Sequence, residues 1–190
     1  MSAAVALPVA WLVARAAGLV AFGILTLSTW LGLGMSTRLL GPKFQSRLLG
    51  WHRTLAWTGL AMVGLHVGAL LLDPVMHFGP AAVLVPFASP FRPAAVAAGV
   101  VAGWLMLTVT LSFRMRRWIG QRGWRRLHYA SFGAFVLALI HALASGTDTA
   151  GVAGPVLALV AGGPVLWLVL VRMLSPGGRR TPAARPSLTT

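Results

Sequence analysis

The chain of 190 residues contains no cysteine and only two acidic residues. The lack of cysteine excludes disulfide bonds, cysteine-ligated iron–sulfur clusters and covalent haem attachment through a C-x-x-C-H motif. Charged residues make up 9% of the chain, whereas a soluble domain carries roughly 25%. This scarcity of charge, with a mean hydropathy of +0.81, excludes a soluble globular fold and indicates a protein that faces lipid.

The formal net charge of +14 would indicate nucleic-acid binding in a soluble protein. Once the apolar stretches are set aside, no soluble body remains to carry a basic surface, so we expect no nucleic-acid partner. Nearly all basic residues are arginine, and alanine, glycine, valine and leucine are abundant. This composition is typical of a high-GC bacterium, and we expect a multi-pass protein of the bacterial plasma membrane.

Five segments without a charged side chain are long enough to cross a bilayer core, which needs roughly 20 helical residues. Because their continuous apolar runs lack the alternation of a β-barrel, the sequence predicts an all-α, polytopic bundle of about five transmembrane helices. The predicted spans are residues 16–35, 54–72, 94–113, 127–145 and 150–171. Prolines interrupt the apolar stretch 74–91, which we interpret as an interfacial loop or re-entrant cap, with a sixth span as the alternative.

The basic residues predict the topology, because cytoplasmic loops carry an excess of lysine and arginine. All of them except Arg15 and Arg92 fall on one side of the predicted spans, which gives an N-out, C-in orientation. Both acidic residues, Asp73 and Asp148, fall on the outer side, where they either attract a cationic ferric complex or are simply solvated. The basic tail 176–190 is predicted to be disordered and to contact anionic lipid.

Four of the five histidines lie on two predicted spans, where ionisable groups are costly and usually functional. His52 and His66 are fourteen residues apart and His128 and His141 thirteen, so each pair is separated by about 20 Å along its helix. Both helices run from inside to outside, so His52 and His128 share the inner depth and the other two the outer depth. Two imidazoles at one depth can fill both axial positions of a haem iron. The sequence therefore predicts two stacked b-type haems, with these histidines as metal ligands, in a carrier of electrons.

Other roles for the histidines stay open. They could bond to neighbouring helices, or relay protons or bind a metal in a haem-free transporter or structural subunit. Alternatively, the chain is a subunit of a periplasmic reductase system in which one of the two pairs binds haem. His77 has no counterpart, and we expect no ligand role for it. A spacing of thirteen leaves two residues about 140° apart on an ideal helix, so the fourth span must tilt, cross or deform locally.

Two segments carry a family resemblance: His52-R-T-L-A-W-T-G-L-A-M-V-G-L-His66 and Trp124-R-R-L-His128-Y-A-S-F-G-A-F-V-L-A-L-I-His141. They resemble the ferric-reductase-like transmembrane domain of ferric reductases, NADPH oxidase membrane cores and the haem subunit of the bacterial methionine sulfoxide reductase system. The resemblance covers residues 34–171 and implies a membrane domain over 1–175. It implies that His52 pairs with His128 and His66 with His141. It also implies that the chain is the membrane subunit of an oxidoreductase.

The sequence departs from that family in two ways. Members usually have six helices, whereas five spans are predicted here. Fused members also carry a C-terminal flavin and nicotinamide module, whereas only a short tail follows the last predicted span. We therefore expect any flavin to reside on a partner, and the electron donor to be a separate flavoprotein, a quinol or a reductase subunit. Ferric iron, an extracytoplasmic flavoprotein and oxygen are all candidate acceptors, and the direction of electron flow stays open.

Three arginines are candidates to bind the anionic haem propionates. Arg53 and Arg126 each lie close in sequence to an inner histidine, and Arg92 is the outer candidate. The alternative role for all three is to determine the topology. No catalytic residue is predicted.

Overall fold

The computed structural model describes residues 9–37, 41–146 and 151–174. These residues form helices and loops and contain no strand, which confirms the all-α prediction. The predicted disordered tail 176–190 and Asp148 lie outside the described residues. The helices are α1 (Val9–Thr37), α2 (Gln45–Leu71), α3 (Pro80–Leu84), α4 (Pro93–His128), α5 (Ala130–Ser145) and α6 (Ala153–Leu174), with a short 3-10 helix at Pro42–Phe44 before α2.

Four helical runs of the described chain are long and apolar enough to cross a membrane. They are Val9–Thr37, Gln45–Leu71, Pro93–Ser145 and Ala153–Leu174. Many of their large apolar side chains point outward, including Leu19, Val160 and Leu166, which are at least half exposed. Such an apolar surface is costly in water but favourable in lipid, so the chain is a membrane protein.

The longest of these runs folds back on itself at Gly120. This glycine has φ 70° and ψ 167°, a conformation that is essentially restricted to glycine. Leu105 lies beside Gly133, and Gly99 lies beside His141, so residues before and after Gly120 pair in antiparallel order. The run therefore crosses twice and accounts for the third and fourth predicted spans.

The local deformation expected between the two histidines of this hairpin lies at Tyr129. Its N–H is shared between the carbonyls of Arg125 and Arg126, and the N–H of Phe132 bonds to the Tyr129 carbonyl. The bonds to the carbonyls of Arg126 and Tyr129 span three residues, as in a 3-10 turn, which advances about 120° per residue instead of 100°. The extra rotation makes the angle between His128 and His141 around the helix axis smaller than the roughly 140° of an ideal helix.

The stretch 74–91 contains only the five-residue helix α3 and forms a cap over one end of the bundle, not a sixth span. Phe78, Ala82 and Val83 are buried there and pack against α2 at Val67 and Leu70. This cap closes the end of the bundle that holds His66 and His141.

A second buried cluster joins α1 to α5 and α6. The rings of Phe22 and Phe135 stack with centroids 6.1 Å apart, and Ala161 completes the cluster. The indole of Trp30 donates to the Ala161 carbonyl at 3.3 Å. These contacts hold α1 against α5 and α6. The position of α1 matters because two of the histidines bond to its carbonyls.

Candidate functional site

The structure brings the four histidines together as two pairs. The ring centroids of His52 and His128 are 6.1 Å apart with the ring planes at 71°. Those of His66 and His141 are 6.3 Å apart at 76°. One pair lies at each end of the bundle, and the pairing is the one that the matched depths predicted. The pair His52–His128 is called the inner pair below, and His66–His141 the outer pair.

Three of the four imidazoles are held through Nδ1 by a helix that neighbours their own. His66 donates to the carbonyl of Ala14 at 2.7 Å, His141 to that of Ala95 at 2.9 Å, and His52 to that of Ser28 at 3.0 Å. A carbonyl oxygen can only accept, so Nδ1 carries the proton in each ring. The remaining nitrogen, Nε2, keeps its lone pair and is the atom available to bind a metal.

A glycine lies four residues after each accepting carbonyl. A Cβ built on Gly18 would lie 2.9 Å from Nδ1 of His66, and one built on Gly99 would lie 2.6 Å from Nδ1 of His141. At Gly32 the corresponding distance to Cε1 of His52 is 3.4 Å. Each carbonyl together with its glycine is called an imidazole seat below.

His128 is held differently from the other three. Its ring stacks on that of Trp124, one helical turn earlier, with centroids 5.0 Å apart and planes at 26°. Trp124 also meets the ring of Phe113 at 6.3 Å. The indole Nε1 of Trp124 is buried and has no hydrogen-bond partner among the described residues. Because a buried donor normally has a partner, this N–H is a candidate contact for a group bound beside the inner pair.

A cavity of about 540 Å³ opens beside the outer pair. It lies between α1, α2, α4 and α5, and both His66 and His141 line it. Most of its other lining residues are apolar, and Arg15 contributes a cation. Binding pockets for small molecules and cofactors have this size and this apolar character.

The predicted arginines occupy different positions around the pairs. Arg53 is exposed and places its guanidinium 4.9 Å from the ring centroid of Phe113, close to the inner pair. Arg126 is also exposed at that end. Arg92 is exposed, and its guanidinium donates to the carbonyl of Ala144 at the end of α5. Arg92 does not line the outer cavity, whereas Arg15 does.

The remaining polar residues of the outer end make local contacts. Asp73 is only 3% exposed, and its Oδ1 accepts the N–H of Val75 at 3.1 Å. The loop-solvation interpretation of Asp73 is therefore wrong, because the carboxylate is buried in a turn. His77 is exposed, and its Nδ1 bonds to the Val75 carbonyl at 3.0 Å.

Apolar packing separates the two histidine pairs. A Cβ on Gly59 would lie 2.9 Å from Cε of Met106 and 3.1 Å from Cγ2 of Ile24, so α1, α2 and α4 approach closely there. Gly59 lies midway between His52 and His66 in sequence. At Gly59 the groups between the two pairs are thus the apolar side chains of Met106 and Ile24.

The spacing within each pair fits one metal ion held between two imidazoles. A metal–nitrogen bond of about 2.0–2.1 Å, with the nitrogen about 1.2 Å from its ring centre, places two opposed ring centroids roughly 6.4 Å apart. The observed separations are 6.1 and 6.3 Å. Among the described residues no group of three or more His, Asp or Glu side chains accompanies either pair. Each site therefore offers two nitrogen ligands, as a bis-histidine haem requires.

The residues of both sites thus fit the predicted cofactor: paired imidazoles, an orphan indole donor at the inner pair, and an apolar cavity at the outer pair. The position of Arg15 in that cavity was not predicted from the sequence, where Arg15 served only to indicate the topology. No protein-family model, no curated protein and no solved structure matches this chain.

Proposed function

We propose that this protein is a b-type cytochrome that relays electrons across the membrane through two bis-histidine haems. His52 and His128 would hold one haem, and His66 and His141 the other. The observation that carries the proposal is the pair of imidazoles at each end of one bundle, with ring centroids 6.1 and 6.3 Å apart, close to the separation of two imidazoles that share a metal ion.

Bound haem would supply reversible one-electron chemistry at each site. The chain's own residues bind and orient it. Two imidazoles per site would hold the haem iron, and this ligand set would supply electron transfer in preference to oxygen activation. The carbonyls of Ala14, Ala95 and Ser28 fix the ring orientation and increase the basicity of the ligands. The close packing of Gly59 against Met106 and Ile24 places apolar groups between the two sites.

We further propose that the protein is the membrane component of a ferric-reductase-like oxidoreductase. We propose that a separate flavoprotein, a quinol or a reductase subunit donates the electrons. Exposed arginines surround the inner pair, and a positive surface of this kind accelerates docking of an anionic donor. The same arginines would face the cytoplasm in a bacterial plasma membrane.

An absorption spectrum and a haem determination on the purified protein test this proposal. Protein produced in haem-replete cells should show the α and Soret bands of low-spin haem b, and a pyridine haemochrome assay should give two haems per chain. A colourless preparation would contradict the cytochrome and favour the haem-free transporter or structural subunit.

A single-haem protein is the second candidate, and one observation favours it. His128 lacks the carbonyl contact that the other three histidines make among the described residues, so the inner site is less firmly built than the outer. One haem per chain that is lost in His66→Ala and kept in His128→Ala would support this candidate.

A further inference from the structure

We infer that Gly18, Gly32 and Gly99 are positioning residues that allow three imidazoles to reach helix carbonyls. This inference rests on the proposed haem ligation, because the rings that these glycines admit are three of the four proposed axial ligands. The carbonyl and glycine pairs are Ala14 with Gly18, Ser28 with Gly32, and Ala95 with Gly99.

The helix itself explains why the glycine comes four residues after the carbonyl. Each Cα–Cβ bond of an α-helix tilts toward the N-terminus, so a side chain covers the turn that precedes it. The side chain at position i+4 therefore lies over the carbonyl of residue i. A second donor can approach that carbonyl more closely from the side when position i+4 has no Cβ.

The distances show how little space remains at these positions. A methyl group at Gly99 or Gly18 would lie 2.6 or 2.9 Å from a histidine Nδ1, well inside the optimal non-bonded separation of about 3.5–4.0 Å. At Gly32 the nearest ring atom is 3.4 Å away, so a methyl group there is tight but tolerable. Alanine would push the ring off its carbonyl at Gly99 and Gly18 and shift it slightly at Gly32.

An imidazole seat occurs on α1 at both depths because of the register between α1 and α2. Gly18 and Gly32 are fourteen residues apart on α1, and His52 and His66 are fourteen residues apart on α2. Because the two helices are antiparallel, one register places a glycine opposite each histidine. The seat at Gly99 lies on the other side of the bundle and belongs to the α4–α5 hairpin.

A displaced ring should weaken haem binding at its own depth and leave haem binding at the other depth unchanged. Partners that orient metal ligands typically contribute 10–100-fold to metal affinity. Gly18→Ala and Gly99→Ala act on the two ligands of the outer pair, so each should remove the outer haem. Gly32→Ala should keep both haems and shift the midpoint potential of the inner one.

The test is a haem determination on purified variants, combined with electron paramagnetic resonance. The matched controls are Gly23→Ala on α1 and Gly68→Ala on α2, because a Cβ at either glycine would meet nothing within 4 Å. Alanine is a better helix former than glycine, so these controls should fold at least as well as the wild type. We expect two haems per chain in the wild type and both controls, and about one in Gly18→Ala and Gly99→Ala.

A double variant separates ring displacement from a general folding defect. In a His66→Ala background the ring that collides with position 18 is absent, so adding Gly18→Ala should not lower the thermal unfolding midpoint or the haem content any further. A further loss in the double variant would show that the methyl group acts on something other than the imidazole, and the inference would be wrong.

The outcomes distinguish this inference from the proposed function. Two haems and unchanged resonance spectra in both Gly18→Ala and Gly99→Ala would overturn the seats and leave the cytochrome intact. A wild type without haem would contradict the cytochrome, and the seats would then be tested on the apoprotein. There Gly99→Ala should lower the unfolding midpoint relative to Gly68→Ala, because the half-buried hydrogen bond between His141 and the Ala95 carbonyl is lost, and equal midpoints would overturn the inference.

Discussion

The imidazole planes of His66 and His141 are inclined at 76°, with the ring centres 6.3 Å apart, and both rings line the outer cavity. Each ring is locked by its own carbonyl, the first on α1 and the second on α4. The orientation is thus set by two different helices, and neither ring can rotate without breaking its hydrogen bond. The inner pair repeats the near-perpendicular arrangement at 71°.

We predict that both haems give highly anisotropic low-spin resonance spectra. Perpendicular axial imidazole planes leave two iron d orbitals nearly equal in energy, which produces one dominant low-field line in place of three resolved ones. Electron paramagnetic resonance of the oxidised protein at liquid-helium temperature measures this directly. A set of three well-resolved lines from each haem would indicate parallel planes and contradict the ring orientations described above.

A second prediction concerns which histidines share a haem. His66→Ala and His141→Ala should each remove one haem, and the double variant should lose no more than either alone, because both changes act on one site. His66→Ala combined with His128→Ala should remove both. The pyridine haemochrome assay gives the stoichiometry, and His77→Ala is the control that should keep two haems. Loss of both haems in the His66→Ala, His141→Ala variant would contradict the pairing.

The pairing of the histidines was predictable from the sequence, whereas the way they are held was not. Arginine distribution predicts the direction of each helix, and direction with spacing predicts which of His52, His66, His128 and His141 share a depth. The imidazole seats depend on the register between neighbouring helices, which apolar periodicity does not encode. The equal spacing of Gly18 and Gly32 was the one signal in the sequence that could have indicated them.

The arginines show a second limit of the sequence. A count of basic residues shows which end of a helix faces the cytoplasm, but it does not distinguish a cation that lines a cavity from one that caps a helix. Arg15 and Arg92 are both predicted on the outer side, and only their contacts assign the first to the cavity and the second to the carbonyl of Ala144.

We predict that Trp124 positions His128. Trp124→Ala removes the stacked ring, and stacked aromatic pairs contribute about 0.5–1.5 kcal/mol, so the inner haem should bind up to roughly tenfold more weakly. Trp124→Phe keeps a stacking surface and should retain the haem, while the lost indole donor shifts its midpoint potential. Trp118→Ala is the control, since Trp118 is 70% exposed. Haem titration of the apoprotein measures the affinities, and equal values for Trp124→Ala and Trp118→Ala would exclude the positioning role.

Arg15 and Arg92 are expected to affect the outer haem to different degrees. Arg15→Gln removes a cation that lines the cavity. Loss of this positive charge favours the oxidised haem and should lower the midpoint potential of the outer haem by tens of millivolts. About 59 mV corresponds to a tenfold change in a one-electron equilibrium. Arg92→Gln removes a hydrogen bond to the end of α5 and should chiefly lower thermal stability, by about 0.5–1.5 kcal/mol. Potentiometric titration followed by absorbance compares the two, and a larger shift in Arg92→Gln would reverse this assignment.

Gly120, at the turn of the α4–α5 hairpin, should tolerate alanine less well than the nearby Gly123. Its φ of 70° and ψ of 167° are unfavourable for any residue with a Cβ, and forcing a side chain into such a conformation costs about 1–3 kcal/mol. Gly120→Ala should therefore lower the unfolding midpoint in detergent, and it should weaken the haem at both depths because His128 and His141 both follow the turn. Gly123→Ala is the control, since a Cβ there would make only an ordinary contact with Ile119 at 3.7 Å. Equal stability of the two variants would mean that the chain does not reverse direction through this glycine.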